Sequence, residues 1–158
     1  MGWYLFPLTW HPGEPEWRAV NESAAVSVNT LQDVNVSRTS GWCVVAQTTQ
    51  LGGSIAIDFK WPFQEILIGT EVSGFMPPVI TMATWIRTRP GQILNGTLTF
   101  WDVTKNLSDT VQFTATEIWQ AISLSAALLP QSADDVYRVE IYMNSANVNL
   151  LVDRTVVV

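Results

Sequence analysis

The chain has 158 residues, 47% of them apolar and only 14% charged, with a net charge of −6. This length fits one domain, which can bury roughly 68–70% of its unfolded surface without disulfides or metals. The charged fraction lies well under the ~25% of an average soluble domain, and Lys60 and Lys105 are the only lysines. No basic stripe can neutralise phosphates, so nucleic acid is not an expected partner.

The first 17 residues stand apart in composition. Trp3, Tyr4, Leu5, Phe6, Leu8, Trp10 and Trp17 are interleaved with Pro7, Pro12 and Pro15, a spacing that blocks a helix and favours an extended path. Two readings follow: an edge strand folded back on the domain, or an aromatic arm, carried by Trp3, Tyr4, Phe6 and Trp10, that docks on a neighbouring subunit. The opening lacks a basic segment and its apolar run is broken by Pro7, His11 and Pro12, so it does not read as a signal peptide. The expectation is synthesis in the cytoplasm, with release by lysis if the protein acts outside cells. No run of 18 apolar residues is present, so membrane insertion is not expected.

From Trp42 onward, short runs with period-two alternation recur between turn residues, the pattern of a sandwich or barrel. Strands are predicted near Trp42 to Gln47, Ser54 to Phe59, Val79 to Arg87, Gly96 to Trp101, Val111 to Thr114, Trp119 to Ser125, Val136 to Met143 and Val148 to Val158. Cys43, the single cysteine, lies in the first of these runs and reads as a small buried hydrophobe. Turn residues fall at Gly52-Gly53, Pro77-Pro78, Pro90-Gly91, Asn95-Gly96, Ala133 to Asp135 and Asn144 to Asn147. The stretch Ile118 to Leu129 has some helical character, but its alternation fits a strand running into a loop. The clearest strand is Val136 to Met143: Tyr137, Val139, Ile141 and Met143 share one face, and Arg138, Glu140 and Tyr142 share the other. One of those faces should be core and the other wet or ligand-facing.

An ordered set of segments carries a family resemblance: Met82 to Arg87, Thr97 to Trp101, Trp119-Gln120 with Ser123-Leu124, Val139 to Tyr142, and Leu150 to Asp153. Over residues 79 to 158 the chain resembles the jelly-roll carbohydrate-binding modules of the galactose-binding-like group. The resemblance implies an all-β, antiparallel jelly-roll sandwich over residues 18–158, preceded by the extended arm of residues 1–17. In that family acids near the final strand can help hold a structural calcium ion through hard oxygen ligands. Asp153 is the matching position, but Arg154 stands where a second acid is common. Local pairing of Asp153 is therefore the expectation, with no cofactor required.

Catalytic equipment is sparse. His11 and Cys43 are too far apart in character to form a pair, no Gly-x-Ser-x-Gly, phosphate-binding or His-Glu-x-x-His motif occurs, and one Cys with one His cannot build a zinc site. Asp58, Glu65, Asp102, Glu117 and Glu140 are the acids that a glycosidase would draw on, and no local context raises any of them above a solvated side chain. An enzyme is not expected. Eight tryptophans are many for this length, and aromatic faces serve both sugar stacking and protein interfaces. Trp85 and Trp119 read as core; Trp42, Trp61 and Trp101, at strand ends, read as ligand-binding, with Asp102 and Arg87 as polar partners.

Two functions fit these features. The first is a structural or binding subunit of a phage virion, a capsid decoration or tail component, with protein partners, a homo-oligomeric state and a location in the virion. The second is a carbohydrate-binding module that recognises a polysaccharide through exposed tryptophans.

Overall fold

A computed structural model of the chain describes residues 8–10, 17–20, 26–32, 42–49, 53–60, 80–126 and 135–157. Eleven strands occur in them: β1 (Leu8–Trp10), β2 (Arg18–Ala19), β3 (Val26–Gln32), β4 (Trp42–Thr48), β5 (Gly53–Lys60), β6 (Ile80–Thr88), β7 (Leu94–Asp102), β8 (Leu107–Ala115), β9 (Gln120–Ala126), β10 (Val136–Met143) and β11 (Asn149–Val157). They form two antiparallel sheets. One has the order β3-β4-β11-β6-β9, with β1 also on β11; the other has the order β2-β5-β10-β7-β8. From β4 to β11 the chain crosses between the sheets at each connection except the β7–β8 hairpin, which gives a jelly-roll sandwich.

The pleat decides what each strand buries. Tyr137, Val139, Ile141 and Met143 of β10 are fully buried, while Arg138, Glu140 and Tyr142 between them are partly exposed. Leu94, Leu98 and Phe100 of β7 and Ile55 and Ile57 of β5 join the same inner face. The other sheet meets them with Met82 and Ile86, Val44 and Ala46, and Leu150 and Val152. Phe100 stacks on Tyr137 with ring centroids 5.9 Å apart and planes 7° from parallel, and Phe59 leans against both. Burial of each large apolar side chain contributes roughly 1.5–3 kcal/mol relative to exposure, so this inner layer supplies the main driving force.

Several polar groups inside the sandwich are paired. Thr84 and Thr155, facing each other from β6 and β11, share a hydroxyl hydrogen bond of 2.9 Å. Thr48 anchors the β10–β11 turn: its hydroxyl donates to the Ser145 carbonyl at 2.7 Å and accepts from the Val148 amide at 3.1 Å. Strand β11 shifts register against β6 between Asp153 and Thr155, where Arg154 takes a left-handed φ of 46°. Before this bulge β11 pairs with β4, and after it with β1, so one strand serves two neighbours along the same edge.

The structure bears out the sandwich and each of the eight expected strands, and the stretch from Ile118 is the strand β9 rather than a helix up to Ala126. Several local readings change. Trp17, placed at the end of the arm, is buried against the core, whereas Leu8–Trp10 pairs with β11 of the same chain, in keeping with the edge-strand reading of that segment. Trp3, Tyr4 and Phe6 lie outside the described residues, as do Pro77-Pro78. Asn95-Gly96 is not a turn but lies within β7; the reversal before it is at Pro90-Gly91, where Gly91 has φ 76°. Trp85 and Trp119 are half-exposed rather than core.

Gly96 has a packing reason instead. It stands opposite both Met143 and Phe113, and a Cβ there would come 2.4 Å from the Tyr142 carbonyl oxygen and 2.7 Å from Phe113 Cζ. The backbone oxygen cannot yield as a side chain could. Gly96→Ala is expected to destabilise the fold by about 1–3 kcal/mol, measured as a lower urea midpoint with an unchanged slope.

Candidate functional site

Strand register fixes what the outer face of the five-stranded sheet displays, because directly opposed residues share a face. One row across the sheet reads Arg18, Ala56, Glu140, Thr99 and Thr110; a second reads Asp58, Arg138, Trp101 and Ser108; a third reads Ser54, Tyr142, Thr97 and Gln112. These are hydroxyls, one amide, two aromatic rings and four charged groups, with almost no aliphatic surface. The core is one pleat below.

The charged groups on this face are matched. Asp58 accepts from Arg138 Nε at 2.6 Å and from its Nη2 at 3.1 Å, a two-pronged fork, and also binds Arg18. Burial is the largest single influence on Asp58 and pushes its pKa up. The hydrogen bonds and charges of Arg138 and Arg18 together outweigh it and hold the carboxyl below its ordinary value of 3.8. Arg138 is held more firmly protonated, first by its hydrogen bond to Asp58. Beside this cluster Trp101 Nε1 donates to Glu140 Oε2 at 3.0 Å, which fixes the indole edge and with it the plane of a half-exposed ring.

Toward the other end of the same face lies an open cleft of about 380 Å³. Thr97, Gln112, Tyr142 and Asn144 line it, with Asn95 and Thr114 at its end. The Asn144 amide donates to the Asn95 carbonyl at 2.8 Å, and the Thr114 hydroxyl donates to Asn95 Oδ1 at 2.8 Å. The rim of the cleft is thus tied to β7, while the Gln112 side chain is exposed. The arrangement offers donors and acceptors of both kinds along one stretch of sheet.

The ligand residues expected from the sequence are dispersed by the fold. Trp101 lies on this face. Asp102, its neighbour, points the opposite way and is fully buried: its Oδ1 accepts from the Lys105 amide at 3.0 Å, and the Lys105 ammonium bridges it to Asp135, also buried. Asp102 therefore shapes the Val103–Asn106 turn and does not face a ligand. Arg87 is on the other sheet, where its guanidinium carbon sits 5.3 Å from the Trp119 ring centre. The backbone of Trp42 opens β4, its side chain lies outside the described atoms, and Trp61 lies outside the described residues. Asp153 is buried at the β11 bulge and Arg154 is exposed; among the described residues no group of three His, Cys, Asp or Glu is placed to hold a metal ion. Of the acids considered for hydrolysis, Asp58 and Glu140 share the outer face, each already engaged, while Glu117 accepts from the Gly91 amide at 3.1 Å on the other side of the hairpin. Glu65 lies outside the described residues.

No protein-family model matches the sequence, and none of the curated proteins matches it. Solved structures do match. The carbohydrate-binding module TmCBM61, solved with β-1,4-galactotriose, aligns over 92% of this chain and 88% of its own at 13% identity and a TM-score of 0.59. The CBM22-1 xylan-binding domain of Paenibacillus barcinonensis Xyn10C aligns over 95% and 91% at 9% identity and a TM-score of 0.61. The fold is the jelly roll of carbohydrate-binding modules. The enzymatically active domain of tailspike protein 4 from bacteriophage CBA120 also matches, with 9% identity, a TM-score of 0.59, 90% of this chain and 19% of that one. At such identities the shared property is the backbone architecture.

The Asp58 cluster carries a pH signature. A carboxyl whose folded pKa is depressed stabilises the fold above its unfolded value of about 3.9, and that contribution is lost as pH falls through the folded pKa. Asp58→Asn should therefore cost about 1–2 kcal/mol at neutral pH, after allowance for the half-exposed Arg18. In urea titrations the gap between variant and wild type should shrink as the pH drops below about 4.

Proposed function

We propose that this chain is a non-catalytic binding module that holds a polysaccharide across the outer face of its five-stranded sheet. The observation that carries the reading is the pairing of an indole whose plane is fixed by Glu140 with an open cleft lined by Thr97, Gln112, Tyr142 and Asn144. Aromatic faces accommodate the apolar faces of sugar rings, and amides and hydroxyls exchange hydrogen bonds with their hydroxyl groups. The cleft is open along the sheet, which suits a segment of chain more than an isolated small molecule. The charges on the face pair internally, Arg138 and Arg18 with Asp58, and Glu140 takes the indole proton donor. A neutral glycan then meets no unmatched charge, and binding should change little with salt.

The same contacts speak against Asp58 as a hydrolytic acid and so support the non-catalytic reading. A hydrolytic acid must be protonated near neutral pH, whereas Asp58 is held ionised by two guanidinium groups. No cofactor enters the reading, so binding and melting temperature should be unaffected by EDTA or by added calcium.

A second reading places this module in a phage particle, as a capsid decoration or tail subunit released by lysis. The match to part of a phage tailspike favours it. Mass spectrometry of purified particles checks that reading: the chain should appear at fixed stoichiometry, and its absence from particles would remove it.

Affinity gels cast with xylan, galactan or mixed-linkage glucan test the main proposal. Retardation is expected in at least one of them. Trp101→Ala and Tyr142→Ala should each weaken it by roughly tenfold or more, and Glu140→Gln, which keeps an acceptor for the indole, by less. Retardation that survives both aromatic substitutions would place the ligand elsewhere and sink the proposal.

A further inference from the structure

The strand β8 is the outer edge of the five-stranded sheet, and among the described residues its one ladder partner is β7. It is long and free of bulges: all nine residues from Leu107 to Ala115 pair with β7 without a register shift. It contains no Lys, Arg or Pro, and Asp109 is its only charge. On the same flank, the edge strand of the other sheet, β9, packs against β8 and has no charged residue at all. Edge strands of monomeric proteins are usually blunted by charge, proline, a bulge or shortness, because an open row of N–H and C=O groups templates further pairing. Neither strand uses any of these devices beyond the single Asp109. Residues Leu107 to Thr110 are moreover exposed on both faces, so this half of β8 projects past the cover of β9, with Leu107 49% exposed and Val103 of the adjoining turn 39%.

We propose that β8 is a dimerisation edge, at which a second copy of this chain adds its own β8 antiparallel and joins the two five-stranded sheets into one. A two-fold axis through Val111 gives the register. Leu107 then lies opposite Ala115, Asp109 opposite Phe113, and Thr110 opposite Gln112, each residue keeping its own face. On the inner side the exposed Leu107 gains an apolar neighbour. On the outer side every contact is between Ser, Thr and Gln. Each Asp109 carboxylate lies two residues from the axis, so the pair is offset by four residues, about 14 Å along the strand, beyond the screening length of about 8 Å at physiological salt. No like charges are forced together.

The same sheet supplies the reason for a closed pair rather than a fibre. Its opposite edge is of another character: the two-residue β2 covers only Ile55 and Ala56 of β5, and the charged cluster of Arg18, Asp58 and Arg138 marks the strand beside it, a device that discourages a further copy. The dimer also sets the outer rows end to end, with Thr110 and Gln112 of one copy beside Gln112 and Thr110 of the other. The interface stands on edge chemistry alone and does not depend on the polysaccharide reading.

Sedimentation velocity and light scattering on the full chain test it. The wild type is expected to be a dimer. In Thr110→Lys combined with Gln112→Lys, each new ammonium faces another across the axis, and the dimer should weaken on the order of a hundredfold or more, with circular dichroism and melting temperature retained. Val111→Cys gives an independent, positional readout: mild oxidation should yield a reducible covalent dimer, whereas Ser125→Cys on β9 should not. A wild type that stays monomeric at high concentration, a dimer indifferent to the paired lysines, or no cross-link through position 111 would each overturn the proposal.

Discussion

The pleat of β10 is the constraint on which both the core and the outer face depend. Its odd-numbered residues from Tyr137 to Met143 are fully buried, and the even-numbered ones between them form the middle of the outer rows. Because the side-chain period is two, a slip of one residue would exchange the sets, burying Arg138 and Glu140 and exposing the stacked Tyr137. That exchange would cost several large apolar burials and strand two charges at once. The core thereby fixes the register with which Asp58, Trp101 and Thr97 line up beside β10, so the outer face is positioned by groups that never touch it.

The turns around β10 are held by buried polar contacts that do a related job. Asp102 and Asp135 bring two carboxylates inside, and the Lys105 ammonium meets both. Val103 and Val136 are tied by backbone, and the Val136 amide donates to the Thr104 hydroxyl at 2.9 Å. The β7–β8 turn is therefore clamped onto the start of β10. At the other end of the strand, Asn144 bonds Asn95 and Thr48 binds the turn that follows. Truncating Lys105 alone would leave buried carboxylates uncompensated, a cost larger than the net stability the intact cluster contributes.

Much of this was legible in the sequence where periodicity was strong. β10 was readable to the residue because β-branched, aromatic and charged side chains alternate without interruption, and β6, β7 and β11 were readable for the same reason. β3 was missed because Val26 and Val28 are its only aliphatic residues on the inward alternation and Leu31 falls out of phase with them. Asn95-Gly96 mimics a hairpin turn, and only the opposing Phe113 and Tyr142 explain the glycine. The site was harder to read, since it is made of rows that cross strands. Trp101 and Asp102 are adjacent in sequence and end on opposite sides of the sheet, whereas Asp58, Arg138 and Trp101 come together from three strands. The fork between Asp58 and Arg138 needs a register between β5 and β10 that no local pattern contains.

The separation of layers also explains how one backbone can persist at 7–13% identity to its structural neighbours. The inner layer asks only for apolar residues of suitable volume at alternate positions, so many sequences satisfy it. The outer layer contributes less to folding than the core and is freer to differ in chemistry. In this chain that freedom is used unevenly. One end of the face is braced by a charge-matched network that removes freedom from Arg138, Asp58, Glu140 and Trp101, and the other end leaves the Gln112 amide and the Asn144 side chain exposed around an open cleft. Bracing lowers the ordering cost of whatever stacks at the first end, and exposed amides allow adjustment at the second. On the proposed polysaccharide reading, a face divided in this way would give the bound chain a preferred direction.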